Sequence, residues 1–228
     1  MNPLKWIITY GCKFGMHCVL KIDSREMTKI RREGPLILFI NHSGQIEAPV
    51  VYTELAPRPK VTAIGKIELF KGILGFIMRV WEIIPVTRGE SDLEALRTCV
   101  AKLKDGWILG IAPEGTRNQN GELRQAQGGI ALLALHSGAP IQPMAQWGAM
   151  DILANLKRFR RARMSIRVGP AFRLDTKGQK LTREIRQQMA DEMMYQLALL
   201  MPEELRGAYA DLGKLTTRWL TFEEEAAS

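Results

Sequence analysis

Of the three histidines in this 228-residue chain, His42 follows an apolar run suited to a buried strand, LILFI, with only Asn41 between them. Imidazole is the side chain whose ordinary pKa lets it take and return a proton near neutrality, so a histidine at the exit of a core strand is a candidate general base. An acid, Glu47, stands five positions later. If the chain turns into a helix near Gln45, a carboxylate on the first turn reaches back to one imidazole nitrogen, leaving the other to accept a proton. The same residues also fit a plain strand-end turn with an unrelated acid, and spacing alone leaves both readings open.

Three other groups stand where a second substrate group would be held. Glu114, Gly115, Thr116 and Arg117 follow the run WILGIA. Glycine lets the backbone approach a ligand, a hydroxyl donates, and a guanidinium offers a planar fork suited to phosphate, with Glu114 available to hold the arginine in place. Lys66 and Arg88 close two other strand-like segments and would add cations on the same rim. A basic run, Lys157, Arg158, Arg160, Arg161 and Arg163, is interrupted by Phe159; it reads either as a solvated face or as an anchor for acidic lipid.

These residues need elements to position them. Short β-branched runs predict strands near 36–40, 61–64, 83–86, 107–112, 141–145 and 164–168, with helices over 48–55, 69–80, 91–104 (Ser91 as cap), 129–137, 182–201 and 203–212. Strands separated by helices of this length imply crossover connections, hence a single α/β domain whose mostly parallel or mixed central sheet is flanked by helices. Ligands gather at the carboxyl ends of such strands. The apolar helix containing Phe70, Ile73, Leu74, Phe76 and Ile77 is expected to face the core rather than line an acyl channel.

Residues 4–21 have helical periodicity, with Leu4, Ile7, Ile8, Gly11, Phe14, Gly15 and Cys18 on one face. Lys5, Thr9, Lys13, His17 and Lys21 form the opposite stripe. This pattern suits a helix lying on a membrane, a reading favoured by Trp6 and Tyr10, or one packing its apolar face on its own domain. No run approaches the length needed to span a bilayer, and no signal cleavage site is expected. The domain division is residues 1–30 as the amphipathic helix, 31–215 as the main domain and 216–228 as an acidic tail.

Lys and Arg outnumber Asp and Glu by 32 to 24, a net charge of +8 that favours an anionic partner. Nucleic acid is disfavoured, since no zinc-finger, RRM or helix-turn-helix signature appears and few aromatics interleave the basic residues. Cys12, Cys18 and Cys99 lack metal-binding spacing and read as reduced core or interface thiols.

Taken in order, NHSGQIE, IIPVTRG, APEGTR and APIQPMA resemble the blocks of the glycerolipid acyltransferase family typified by bacterial 1-acyl-glycerol-3-phosphate acyltransferase, over roughly residues 35 to 170; PEELRGAYAD near the C-terminus is similar to bacterial members too. The family's first block usually carries aspartate where this chain has Glu47, and a lysine common after the EGTR block is here Gln127. The resemblance implies direct acyl transfer from acyl-CoA or acyl carrier protein to a hydroxyl of a lysophospholipid acceptor, giving phosphatidate, at the cytoplasmic face of a membrane that the protein meets peripherally or monotopically. His42 would be the base and Glu47 its orienting acid. Glu114, Gly115, Thr116, Arg117, Arg88 and Lys66 would hold the acceptor phosphate, and no metal or cofactor is implied. Other acceptors, such as glycerol 3-phosphate, a non-catalytic lipid-binding relative and a thioester hydrolase are the alternatives.

Overall fold

The run LILFI forms a central strand because successive side chains of a strand point to opposite faces and both faces are covered here. Leu36 and Leu38 belong to one buried cluster, Ile37 and Phe39 to another. The computed structural model describes residues 3–42, 44, 46–56, 58, 60–87, 93–115, 120–149 and 152–223, without the side chains of 153 and 154.

The helices are α1 (Pro3–Val19), α2 (Glu47–Glu54), α3 (Gly72–Val80), α4 (Leu93–Lys104), α5 (Gly129–Ser137), α6 (Ile152–Lys157) and α7 (Arg183–Leu200). The strands are β1 (Leu20–Asp23), β2 (Leu36–Ile40), β3 (Val61–Lys66), β4 (Ile84–Val86), β5 (Ile108–Ile111), β6 (Ile141–Trp147), β7 (Ala162–Val168), β8 (Phe172–Leu174) and β9 (Leu220–Phe222). They pair in the order β1-β7-β6-β2-β5-β3-β4, with β8 joined to β6 and β9 to β8. From β6 to β4 every pairing is parallel, so the carboxyl ends of five strands meet one edge. Strand β7 runs antiparallel to β6, and β1 parallel to β7, so the amino ends of β7 and β1 reach that same edge. The sheet is therefore mixed, as expected, and helices cover both faces. Side chains of α4, α5 and α7, including Leu103, Ile130 and Met193, pack on one face. Val50 and Val51 of α2 and Trp81 after α3 pack on the other.

Four differences from the sequence reading have physical causes. Residues 203–212 form three separate 3-10 turns instead of one helix. Strands β1, β8 and β9 were not expected; each has only three or four residues and exists through its pairing. Residues 216–223 of the region assigned to an acidic tail are built into the fold, because Trp219 is buried, its backbone N–H donates to Glu192 and β9 pairs with β8. Finally, α3 turns only part of its apolar residues inward: Ile73 is 75% exposed and Leu74 and Phe76 are also exposed, while Gly75 and Met78 are buried and Ile77 packs against the core. The expected cap Ser91 lies outside the described residues.

Helix α1 docks by its polar stripe. Lys5 Nζ lies 3.0 Å from Glu82, Lys13 Nζ 3.4 Å from Glu54, and His17 Nε2 2.7 Å from the other oxygen of Glu54. Thr9 is buried and accepts from the indole N–H of Trp81 at 3.0 Å. The opposite, apolar face is left outward, with Ile7 70% and Phe14 74% exposed and Leu4 and Tyr10 also exposed. A helix normally buries its apolar stripe. Here Glu54 on α2, whose side chain is 6% exposed, and an exposed acid just after α3, Glu82, attract the cationic stripe, and the hydrophobic face is presented to the surroundings.

Candidate active site

Where β2 ends, Asn41 takes over the pairing. Its side-chain N–H donates to the Gln146 carbonyl at 2.8 Å, its side-chain oxygen accepts the Gln146 N–H at 2.8 Å, and the Gln146 amide donates back to the Asn41 carbonyl at 3.1 Å. Both residues are buried. This exchange continues the β2–β6 ladder through a side chain and fixes the backbone just before His42. The sequence reading passed over Asn41 as a turn residue and gave no signal for Gln146.

His42 is half-buried at the carboxyl edge. Its backbone N–H donates to Glu114 Oε1 at 3.0 Å, and Arg124 N–H donates to Glu114 Oε2 at 3.2 Å. Glu47, the first residue of α2, accepts the backbone N–H of Gly44 through Oε2. Two buried acids thus hold the His42 loop from two sides, Glu114 from the turn after the neighbouring strand β5 and Glu47 from the helix that follows. Burial pushes the Glu114 carboxyl up to about 7; the N–H groups of His42 and Arg124 oppose that rise, and the nearby charge of Glu47 adds to it.

Glu114 is 4% exposed and each of its oxygens accepts a backbone N–H group, so it positions the histidine loop. Gly115 has φ +64, the left-handed conformation that glycine adopts without strain, and the Gln127 amide lies against its α-carbon. Lys66 closes β3, two strands from β2, a separation of about 10 Å. It pairs with Val86 of β4, so Arg88 follows two residues beyond that pairing. Arg88, Thr116 and Arg117 lie outside the described residues.

The backbone at Leu123 and Ala126, before α5, is braced from the C-terminal part of the chain. Leu123 N–H donates to the Leu205 carbonyl at 3.0 Å, and Ala208 N–H to the Leu123 carbonyl at 3.0 Å. Tyr209 hydroxyl accepts from Ala126 N–H and donates to Asp191. The run PEELRGAYAD therefore holds in place the backbone that presents Arg124 N–H to Glu114.

A mixed α/β sheet thus carries a histidine just past the carboxyl end of a central strand, its loop held by two buried acids, at the edge where ligands gather in such sheets. Residues 21–147 match the family model described as Acyltransferase, and the chain belongs to that family. It is 26% identical over 164 residues to human 1-acyl-sn-glycerol-3-phosphate acyltransferase beta, covering 70% of this chain and 57% of that protein. It is 25% identical over 151 residues to the Bacillus subtilis 1-acyl-sn-glycerol-3-phosphate acyltransferase, covering 66% and 72%. The match to the chloroplastic Brassica napus enzyme of that name, BAT2, is 26% identical over 122 residues, spanning 52% of this chain and only 35% of that one. The crystal structure of the 1-acyl-sn-glycerophosphate acyltransferase PlsC from Thermotoga maritima shares the fold, with a TM-score of 0.58 and 19% identity over 82% of this chain and 75% of that one.

Proposed function

We propose that this protein moves a fatty acyl group from an acyl thioester, of coenzyme A or acyl carrier protein, to the free hydroxyl of a 1-acyl-glycerol 3-phosphate at the cytoplasmic face of a membrane. The observation that carries the reading is the clamped His42 loop at the carboxyl edge of the sheet in a chain of the acyltransferase family.

An alcohol is a poor nucleophile at neutral pH. His42 accepts the hydroxyl proton as the oxygen attacks the thioester carbonyl, and Glu47 orients the ring and stabilises the imidazolium. The tetrahedral oxyanion collapses, the C–S bond breaks, and the thiolate takes the proton back from the imidazolium. An ester and a free thiol result, with no covalent acyl-enzyme. Gly115, Thr116, Arg117, Arg88 and Lys66 hold the acceptor phosphate and so bring its hydroxyl to His42. The outward apolar face of α1, beside the exposed Ile73, Leu74 and Phe76 of α3, supports the membrane-surface part of the reading. Among the described residues, no helix is long and apolar enough to cross a membrane.

The test is transfer of a labelled acyl group to lysophosphatidate, glycerol 3-phosphate and a phosphate-free lysolipid, with coenzyme A and carrier-protein donors, for wild type and His42→Ala. Product with lysophosphatidate alone, lost in His42→Ala, is the expected result. Transfer to the phosphate-free lipid at equal efficiency would overturn the roles of Arg88 and Arg117. Failure with every donor and acceptor would leave a non-catalytic lipid binder.

A further inference from the structure

At the end of α1, on the same sheet edge as His42, lies a concavity of about 750 Å³ lined by Lys21, Gly148, Asn155, Arg160, Arg161 and Arg163. Its position follows from the register: Lys21 pairs with Arg163 across β1 and β7, and Trp147 at the end of β6 pairs with Ser165. Gly148, with φ +95, packs against the Arg163 carbonyl, and any side chain there would meet that oxygen. Arg161 donates to the His17 carbonyl at 3.2 Å, tying the basic loop to the last turn of α1.

Two features set this cluster apart from ordinary surface charge. First, cations gather here within a short stretch of surface, whereas Lys5 and Lys13 on the neighbouring α1 are each paired with an acid. Among the described residues, no carboxylate forms an ion pair with Lys21, Lys157, Arg158, Arg160, Arg161 or Arg163. Second, Phe159 stands at the tip of the loop, 99% exposed, with its backbone at φ +54, a conformation bulky residues rarely adopt. Leu156, 39% exposed, is one turn before it. A strained, solvated phenylalanine in a run of cations that no described carboxylate pairs gains nothing in water. It suits a boundary where an aromatic ring enters an apolar layer and the cations meet phosphates.

We propose that this concavity binds the phosphate headgroup of an anionic phospholipid in the bilayer, with Phe159 inserted among the acyl chains beside it. The inference rests on the membrane-surface part of the function proposed above and extends it. The outward face of α1 and the basic loop are joined through Arg161, so one surface offers an apolar strip and a headgroup site together, and bilayer contact at both would present the His42 edge to the lipid. An acidic carrier protein would also meet the cations, but it would leave the exposed Phe159 unexplained.

The full chain is tested for co-sedimentation with vesicles of phosphatidylcholine alone and of phosphatidylcholine mixed with phosphatidylglycerol, at low and high salt. Wild type should prefer the anionic vesicles, less so in high salt. The combined variant Arg158→Gln, Arg160→Gln, Arg163→Gln should lose about 100-fold in affinity for anionic vesicles at low salt. Phe159→Gly, which also relieves the strained backbone, should lose at least about 10-fold. Acyl transfer to a short-chain acceptor below its micelle concentration should be unchanged in both. Variants that bind anionic vesicles like wild type would overturn the headgroup site while leaving the membrane reading standing. Wild type that binds no vesicle would overturn the membrane reading as well. A raised KM for an acyl carrier protein donor with vesicle binding intact would assign the loop to that protein and overturn the proposal.

Discussion

Glu114 Oε1 accepts the backbone N–H of His42 at 3.0 Å, across 72 residues of sequence. The bond is made to the main chain, so it fixes where the loop stands without itself engaging the imidazole. Because β2 and β5 are neighbours with Phe39 opposite Ile111, the residues just beyond their ends are brought face to face.

This placement makes stability depend on pH in a definable way. Burial raises the Glu114 pKa from 4.5 to about 7, so the folded protein binds this proton more tightly than the unfolded chain does. The resulting stabilisation is complete below about pH 4.5 and is lost as pH rises through about 7, in total about 3 kcal/mol. Urea unfolding of wild type and Glu114→Gln between pH 4.5 and 8 should show the difference between them changing by that order, wild type losing ground as pH rises. A difference that does not change with pH would count against the raised carboxyl.

His42→Ala retains the backbone N–H that Glu114 accepts, so the loop should stay in place. Acyl transfer is expected to fall by about 10²- to 10⁴-fold, the usual contribution of a general base, with little change in melting temperature. Glu47→Gln keeps an acceptor for Gly44 N–H but removes the charge, and should lower kcat more than it changes KM. Steady-state kinetics of the two variants would check this.

Gly207 and Gly115 both have positive φ but differ in surroundings. A Cβ at Gly207 would sit 2.3 Å from the Leu123 carbonyl oxygen, in the backbone bracing the Arg124 segment, whereas one at Gly115 would meet the Gln127 side-chain amide at 3.2 Å. A side-chain amide moves aside and a braced backbone does not. Gly115→Ala should cost about 1–2 kcal/mol from its conformation alone. Gly207→Ala should cost clearly more and should also reduce activity, both measurable by denaturant unfolding and turnover.

The outward face of α1 makes no contribution to the core. Replacing Ile7 and Phe14 together by serine should weaken vesicle binding by about 10- to 1000-fold, from the apolar area no longer buried in lipid. Unfolding of the protein in buffer should be unchanged. A matching loss of stability would show that this face packs on the protein after all.

The alternation of buried side chains in LILFI, the helical spacing of the segments between strands and the polar residues at strand ends were legible in the sequence. They determined an α/β sheet with crossover helices and drew attention to His42 and Glu47, because these signals are local and repeat every two or 3.6 residues. Strands β1, β8 and β9 were not legible, since such short segments pair only where a partner is supplied from far along the chain. The bonds of Glu114 to the N–H groups of His42 and Arg124 were not legible for the same reason: only the adjacency of β2 and β5 brings the first to it. The periodicity of α1 showed two faces but not which one docks. That was decided by Glu54 and Glu82, acids on other elements, whose attraction for Lys5, Lys13 and His17 turns the apolar face outward.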